Sequence, residues 1–309
     1  MVSLYLLLAA LVQPRQRTFE ATYTATLSDI PHTASEMTVW IPLPMSGDGQ
    51  RVTDIAIDSP YDWHRATEKE FGNQYAYATV PRPESGTFSV RVNFKATRNE
   101  ISGDALGDTS KPSKAELQRA LKADRLVTLS PRVRQLADKI TAGKTSTMDQ
   151  AHAIYDYLLS TMKYDKNFPG WGNGDTERAC DIHAGNCTDF HSLFMSLARS
   201  KGIPARFVIG FPVPENGGKA AGYHCWAEFY VDGKGWIPVD PSEASKSSDP
   251  ARRAYLFGNL DPDRVLFTMG RDIKLNPSTT APLNYFLYPH AEANGDVVGI
   301  PAITLEVRQ

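Results

Sequence analysis

Three residues with complementary chemistry lie in the second half of the chain: Cys187, His224 and Asp240. A cysteine thiolate is a strong nucleophile, and an imidazole can accept the thiol proton and later return it to a leaving amine. A carboxylate holds the imidazole in one tautomer and stabilises its charged form. Together these groups can carry acyl transfer at an amide bond. Because an isolated cysteine is usually a small buried side chain, the elements that position the three residues decide whether they act together.

Cys187 stands at the predicted start of an amphipathic helix. In residues 187–201 the apolar side chains recur at three- and four-residue spacing, and Gly202 followed by Pro204 ends the pattern. The unpaired N–H groups of a first helical turn favour a negative charge by roughly 0.3 to 1 kcal/mol. Since one pKa unit corresponds to about 1.4 kcal/mol, the helix alone lowers the thiol pKa by only about one unit. The backbone N–H of Cys187 is also a candidate donor to an oxyanion.

His224 and Asp240 lie on two predicted strands joined by a Gly-rich turn. If Val231 pairs with Trp236, the aspartate lies on the opposite face of the sheet from the histidine. If Val231 pairs instead with Gly235, through a three-residue loop or a bulge, the two side chains lie diagonally within hydrogen-bonding reach. A catalytic triad therefore predicts the second register.

Other candidates for the site are aromatic. Tyr164 and Trp171 lie in a Gly-rich segment before the cysteine helix, where a phenol and an indole can donate to an oxyanion or contact substrate. Cys225 follows the candidate base in its strand and points to the uniformly small or apolar face. We expect it to be a structural core residue without functional consequence. The extended loop at residues 212–222 is expected to shape substrate entry.

The elements around these residues fall into two groups. Residues 18–98 alternate apolar and polar side chains, which is typical of antiparallel strands with one solvated face. Residues 99–112 are rich in Gly, Ser and Asp and predict a linker. Residues 113–309 begin with helical patterns and continue as strands. The predicted fold class is therefore α+β, with helices packed on an antiparallel β-sheet and a small all-β, sandwich-like domain in front.

Four short motifs in fixed order resemble the transglutaminase-like superfamily, a group of papain-type cysteine enzymes. They are Gly-x-Cys followed by Asp-Phe at residues 185–190, Gly-Ile-Pro-Ala-Arg at 202–206, His-x-Trp at 224–226 and Trp-x-x-x-Asp-Pro at 236–241. The resemblance covers roughly residues 145–245. It implies a papain-like core in which Cys187 is the nucleophile, His224 the base and Asp240 the orienting residue. It also implies that Trp226 and Trp236 line or support the site.

The resemblance further implies a thiol-dependent acyl-transfer enzyme that acts on amide bonds of proteins or peptides through an acyl-enzyme. The superfamily includes cross-linking enzymes, proteases, deglycosylating amidases and members that have lost catalysis, and fold alone does not choose among them. Because calcium-loop motifs are lacking and the protein is expected to be exported, we favour hydrolysis over transamidation of protein glutamine. We expect a protein or peptide substrate and no cofactor.

Two other interpretations remain open. Cys180, His183, Cys187 and His191 carry two thiols and two imidazoles at spacings similar to those of zinc ligands. Only three residues separate His183 from Cys187, and a zinc site leaves the candidate base unexplained, so we expect no metal. The second interpretation is a non-catalytic binding module on the same fold, against which the presence of a complete triad argues.

Composition, charge and the N-terminal sequence limit which binding partners and which cellular location we expect. A formal net charge of −2 and a pI of about 6.4 give no general attraction to nucleic acid or to an anionic membrane. Residues 1–14 contain an apolar run of signal-peptide length, which predicts a secreted or periplasmic protein. No later segment reaches 18 consecutive apolar residues, so we expect no membrane insertion of the mature chain. The odd count of three cysteines leaves at least one thiol free.

Overall fold

The computed structural model describes residues 14–47, 49–103 and 111–309. The predicted signal peptide, apart from its last residue, and the middle of the predicted linker lie outside the described residues. Strands come first: β1 (Gln16–Ser28), β2 (Glu36–Pro42), β3 (Gln50–Asp58), β4 (His64–Thr67), β5 (Gln74–Pro81), β6 (Phe88–Asn99) and β7 (Ile101–Ser102). In β6 every second residue is buried, as the alternation in the sequence predicts.

Helices dominate the middle of the chain. In order, the elements are α1 (Lys114–Arg119), α2 (Pro131–Ile140), α3 (Thr147–Thr161), β8 (Lys163–Tyr164), α4 (Thr176–Ile182), β9 (Ala184–Gly185) and α5 (Cys187–Ser200). Hydroxyl or carboxylate N-caps begin several of them: the Ser130 side chain accepts from Val133 N, and the Asp175 side chain accepts from Glu177 N. The predicted helix from Cys187 is confirmed with the expected first residue.

Strands return after α5. The elements are β10 (Ala205–Pro212), β11 (Gly218–Lys219), β12 (His224–Val231), β13 (Gly235–Val239), α6 (Pro241–Lys246), α7 (Pro250–Tyr255), β14 (Asn259–Leu260), β15 (Arg264–Met269), β16 (His290–Ala293), β17 (Asp296–Val297) and β18 (Ile300–Arg308). The antiparallel sheet that carries the candidate site has the order β13-β12-β10-β15. The α+β fold class is therefore confirmed.

Helix α5 lies at the centre of this part of the protein, against β10, β12 and the helices α2, α3 and α4. The sequence predicts one buried apolar face, whereas the structure buries the polar face as well. Buried polar groups on α5 must find partners. Arg199, for example, donates to Asp124 at 2.6 Å and to the carbonyl of Ala205. Because it is enclosed on all sides, the helix holds its first turn firmly in place.

The end of the chain completes the N-terminal sheets. These have the orders β11-β18-β1-β6-β3 and β17-β16-β2-β5-β4, with β18 antiparallel to β1 and β16 antiparallel to β2. The prediction assigned residues 113–309 to one domain, but the strands at 290–308 pair with the N-terminal strands instead. A strand's alternation predicts that it is a strand and leaves its distant partner open. Among the described residues, no helix is both long and apolar enough to span a bilayer.

Candidate active site

The first turn of α5 is fixed by a reciprocal capping box. The Asn186 side chain accepts from Thr188 N at 2.9 Å, and the Asp189 carboxylate accepts from Asn186 N at 2.9 Å. Cys187 is thereby held as the first helical residue and is 1% exposed. Its backbone N–H belongs to the group that a helix leaves without an intrahelical acceptor, so this end of α5 favours negative charge.

Asp189 also ties the preceding Gly-rich loop to the helix. Its carboxylate accepts from Gly172 N at 2.8 Å and from Gly174 N at 3.2 Å. At Gly185 an added Cβ would come within 2.2 Å of the same carboxylate, so only glycine fits there. Burial raises the pKa of Asp189 although three backbone N–H groups donate to it. One side chain thus sets the position of the loop relative to the nucleophile.

The hairpin has the register that a triad requires. Val231 pairs with Gly235 and Ala227 with Val239, so the bulged pairing is confirmed. The His224 Nε2–H group donates to Asp240 Oδ2 at 2.6 Å, and both residues are buried. Because Nε2 is occupied by the carboxylate, Nδ1 is the ring nitrogen that remains for Cys187.

Asp240 is held by more than the histidine. Arg264 Nη1 donates to Oδ2 at 2.9 Å, and the backbone N–H of Glu243 donates to Oδ1 at 2.9 Å. His191 Nε2 lies 3.3 Å from Oδ1. Burial alone would raise the pKa of this carboxyl, but the positive His224 and the neighbouring donors hold it well below its usual range. Asp240 is therefore a permanent negative charge beneath His224.

The charges on the histidine and the cysteine support each other. Burial lowers the pKa of His224, but the charge and hydrogen bond of Asp240 outweigh it and raise the pKa to about 9. Burial likewise raises the pKa of Cys187, and hydrogen bonding from Cys225 and His224 together with the charge of His224 brings it well below its usual value. The two shifts together favour a thiolate beside an imidazolium.

Cys225 lies in the core as predicted, yet it is not isolated from the site. Its Sγ atom is 3.5 Å from His191 Nδ1 and 3.8 Å from Thr188 Oγ1, both on the first turns of α5. Burial and the neighbouring Cys187 raise the pKa of Cys225 well above its usual value. Cys225 is thus a protonated thiol that can donate to the Cys187 thiolate. The expectation of no functional consequence overlooked this contact.

A cavity of about 930 Å³ opens onto Cys187 and His224. Tyr164 and Trp171 line it, so the structure brings these predicted aromatic residues to the site. The Lys166 ammonium lies over both rings, 5.8 Å and 5.2 Å from their centres. Residues at both ends of the 212–222 loop also line the cavity, where the sequence predicts substrate entry.

Trp226 does not line the cavity, which corrects the first of the two roles predicted for it, lining or supporting the site. It is 1% exposed, and the guanidinium groups of Arg98 and Arg264 lie 5.8 Å and 5.4 Å from the centre of its ring. The pattern places it on the face of the candidate base, but the packing of the N-terminal strands covers that face. Through Arg264 it supports Asp240. Trp236 is also away from the cavity, 4.2 Å under the guanidinium of Arg206.

Comparisons with known proteins agree with this geometry. Residues 134–241 match the family model described as "Transglutaminase-like superfamily". An uncharacterised protein of Haemophilus influenzae is 30% identical over 318 residues, covering 90% of this chain and 86% of the relative. The chain belongs to the transglutaminase-like superfamily.

This transglutaminase-like protein is also similar to a curated enzyme and to a solved structure. A protein-glutamine gamma-glutamyltransferase of Pseudomonas aeruginosa is 28% identical over 134 residues, which are 37% of this chain and 18% of that enzyme. A solved structure from Cytophaga hutchinsonii, described as a candidate cysteine protease, superposes with a TM-score of 0.63 at 16% identity, over 96% of this chain and 91% of that one. The second similarity shows a shared fold.

Sequence reasoning missed His191 as part of this transglutaminase-like site. Its Nδ1–H group donates to the Cys187 carbonyl at 2.5 Å, while Nε2 faces Asp240. The signal was available, since His191 lies one helical turn after Cys187 and on the same face. The zinc interpretation used that spacing, but the part of the chain that the structure describes holds no group of three or more metal-binding side chains. Cys180 sits in α4, buried and apart from the cavity.

Proposed function

We propose that this transglutaminase-like protein is a thiol-dependent acyl-transfer enzyme that hydrolyses amide bonds of peptides or proteins. The proposal rests on one observation above others: the 2.6 Å hydrogen bond from His224 to Asp240, beside a cavity that His224 shares with Cys187. A buried carboxylate that keeps an imidazole charged next to a helix-terminal thiol is the arrangement that nucleophilic catalysis requires.

In the proposed reaction the Cys187 thiolate attacks the carbonyl carbon of an amide and forms a C–S bond, while the C=O electron pair moves to oxygen. The first-turn N–H of Cys187 donates to this oxyanion, with Tyr164 and Trp171 as candidates for the second donor. When the intermediate collapses, the C–N bond breaks and His224 gives its proton to the leaving amine. Neutral His224 then takes a proton from water, whose oxygen bonds to the thioester carbonyl carbon. The C–S bond breaks, and the carboxylic acid and the Cys187 thiolate are released.

Transamidation is the second candidate. It differs only in the last step, where an amine replaces water at the thioester. The similarity to the Pseudomonas aeruginosa gamma-glutamyltransferase over 37% of this chain favours it. Hydrolysis stays our first proposal because the sequence lacks calcium-loop motifs and its N-terminal apolar run favours export. Secretion or periplasmic location is likewise a proposal, which sequencing of the N-terminus of the exported protein would test.

One experiment addresses both reactions. The wild-type, Cys187→Ala and Cys180→Ala proteins are incubated with a glutamine-containing peptide pool and a labelled amine, and mass spectrometry measures cleavage and amine incorporation. We expect cleavage by the wild-type and Cys180→Ala proteins and none by Cys187→Ala. Amine incorporation in excess of cleavage would replace hydrolysis by transamidation. Equal signals from all three proteins would contradict catalysis by Cys187.

A further inference from the structure

An unpaired length of strand β18 lines the catalytic cavity. Along its inner edge β18 pairs with β1 from Ile300 to Arg308. Along its outer edge it pairs with β11 only at Glu306 and Val307, followed by one hydrogen bond from Ala220 N to Leu305 O at 2.9 Å. In the described residues, no strand covers the outer edge of residues 300–304.

The backbone groups on that edge can be assigned from the pairing. In an antiparallel ladder, successive residues direct their backbone N–H and C=O groups to opposite edges. Leu305 directs its carbonyl to Ala220, so Pro301 and Ile303 direct their groups the same way. The free edge therefore presents two carbonyls and the N–H of Ile303. An exposed edge of this kind is a template for another extended chain.

The cavity begins where the neighbouring chain leaves this edge. After Ala220 the backbone turns away from β18 through Ala221 and Gly222 and enters β12 at His224. Ala221, Gly222 and residues 301–303 all line the cavity. The residues of β18 that follow the last bond to Ala220 along this edge therefore line the same cavity as Cys187 and His224.

We propose that the substrate of this site is an extended polypeptide segment that adds to the free edge of β18 as a further strand. The inference rests on the proposed acyl transfer and names its substrate class. Main-chain hydrogen bonds to Pro301 and Ile303 hold the segment, as in other recognition by strand addition. A flexible or unfolded stretch of protein can form these main-chain hydrogen bonds. A small amide without a neighbouring peptide backbone cannot form them, so the edge of β18 does not strengthen its binding.

Pro301 sets the length of the pairing. Because proline has no N–H group, the edge offers a single donor, at Ile303. The bound segment is therefore held by a few hydrogen bonds and can be released after reaction. The same proline opposes long edge-to-edge pairing between two copies of the protein.

The test uses short Ala-Thr repeat peptides that carry an iodoacetyl group at the N-terminus or on a C-terminal lysine, with iodoacetamide as the reagent that has no strand to add. We expect one of the two peptide orientations to alkylate Cys187 faster than iodoacetamide does. Ile303→Pro removes the N–H donor at the edge and keeps the hydrogen bonds of residues 302 and 304 to β1. In this variant the acceleration by the peptide should be at least about fivefold smaller. Ile303→Val retains the N–H and should keep the acceleration.

A second series leaves the protein unchanged, so it stands even if Ile303→Pro folds poorly. Peptides with a single N-methylated amide should lose the acceleration at alternate positions only, because alternate amides face the edge. Equal rates for all methylated peptides, or equal peptide rates for Ile303→Pro and Ile303→Val, would overturn strand addition. A dimer that Ile303→Pro dissociates, without any peptide effect, would instead assign the edge to a second copy.

Failure of the proposed function gives a different result. If Cys187 is not activated, iodoacetamide itself alkylates it no faster than it alkylates Cys180. The edge is then tested on the Cys187→Ala protein by fluorescence anisotropy with the same peptides carrying fluorescein. Binding that weakens with alternate N-methylation supports the edge as a peptide site, and absence of binding overturns it.

Discussion

Cys180 and Cys187 are buried cysteines on neighbouring helices, and their surroundings shift the thiol pKa in opposite directions. Cys180 lies inside α4, where burial raises its pKa to about 11. Cys187 begins α5, where hydrogen bonding from Cys225 and His224 and the imidazolium charge overcome an even stronger effect of burial. Burial by itself protects a thiol from ionising. A buried cysteine becomes a nucleophile only where the fold supplies donors and a positive charge to the thiolate.

We expect the largest difference between Cys180 and Cys187 in how their rates of alkylation by iodoacetamide depend on pH. From about pH 6 to about pH 9 the thiolate fraction at Cys180 grows about tenfold per unit, whereas the lowered pKa of Cys187 makes its thiolate fraction grow less over the same range. The ratio of their iodoacetamide rates should therefore fall by up to about 1000-fold over this range. Peptide mapping by mass spectrometry measures both rates in one sample. A ratio of alkylation rates that is independent of pH would contradict the ion pair.

Acyl transfer should decline above about pH 9, where His224 loses its proton.

Removing the candidate base His224 should make the alkylation rate of Cys187 similar to that of Cys180. In His224→Ala the imidazolium is lost and burial then dominates, so the alkylation rate of Cys187 at pH 6 should fall by about 100-fold or more. Cys180 provides the internal control, because its rate should not change. A rate at Cys187 that stays within twofold of wild type would mean that the helix terminus alone activates the thiol, against its expected strength.

Asp240→Asn tests the carboxylate while keeping the imidazole. The pKa of His224 should drop from about 9 towards its ordinary value, since the charge of Asp240 is the largest effect that opposes burial and only Cys187 then remains to oppose it. We expect the alkylation rate of Cys187 to fall by about tenfold at neutral pH. NMR titration of the His224 ring measures the pKa directly, and an unchanged value would assign its elevation to Cys187 instead.

Cys225→Ala should have the smallest effect. It removes one S–H donor from the thiolate and leaves the histidine in place, and a thiol is a weak donor. The pKa of Cys187 should rise enough to slow its alkylation at pH 6 by a few-fold, about what one net hydrogen bond is worth. Cys225→Ser, which restores a hydroxyl donor, should recover the rate. Identical rates for the alanine, serine and wild-type proteins would return Cys225 to a purely structural role.

The local signals in the sequence predicted the start of α5 and the register of the hairpin. Cys187 could be placed because Gly202 and Pro204 mark where its helix ends, and turn chemistry left only two registers for Asp240. The role of Asp189 was overlooked since two of its partners are backbone atoms of a loop 15 to 17 residues away, whereas the four-residue spacing of His191 from Cys187 was interpreted only as a zinc-ligand spacing. Trp226 was misplaced because strand alternation gives its face and not what covers that face.

The fold class followed from periodicity, but the association of distant strands did not. The alternation in residues 18–98 correctly predicted β1 and β6, which pair along most of their length. The partner of β1 on its other edge is β18, more than 250 residues later in the chain. No local pattern connects two such segments, and each is an equally acceptable strand for several neighbours.

The pairing of β18 with β1 affects the order in which parts of the site can form during synthesis. During synthesis, Cys187, His224 and Asp240 are all translated before β18, so α5 and its hairpin can fold while the edge of β1 still lacks its neighbour. Residues 301–303, which line the cavity, are put in place only when β18 joins. On a ribosome-bound chain, Cys187 and His224 can therefore be in place before residues 301–303 complete the lining of their cavity, so the proposed reaction would have to wait for β18.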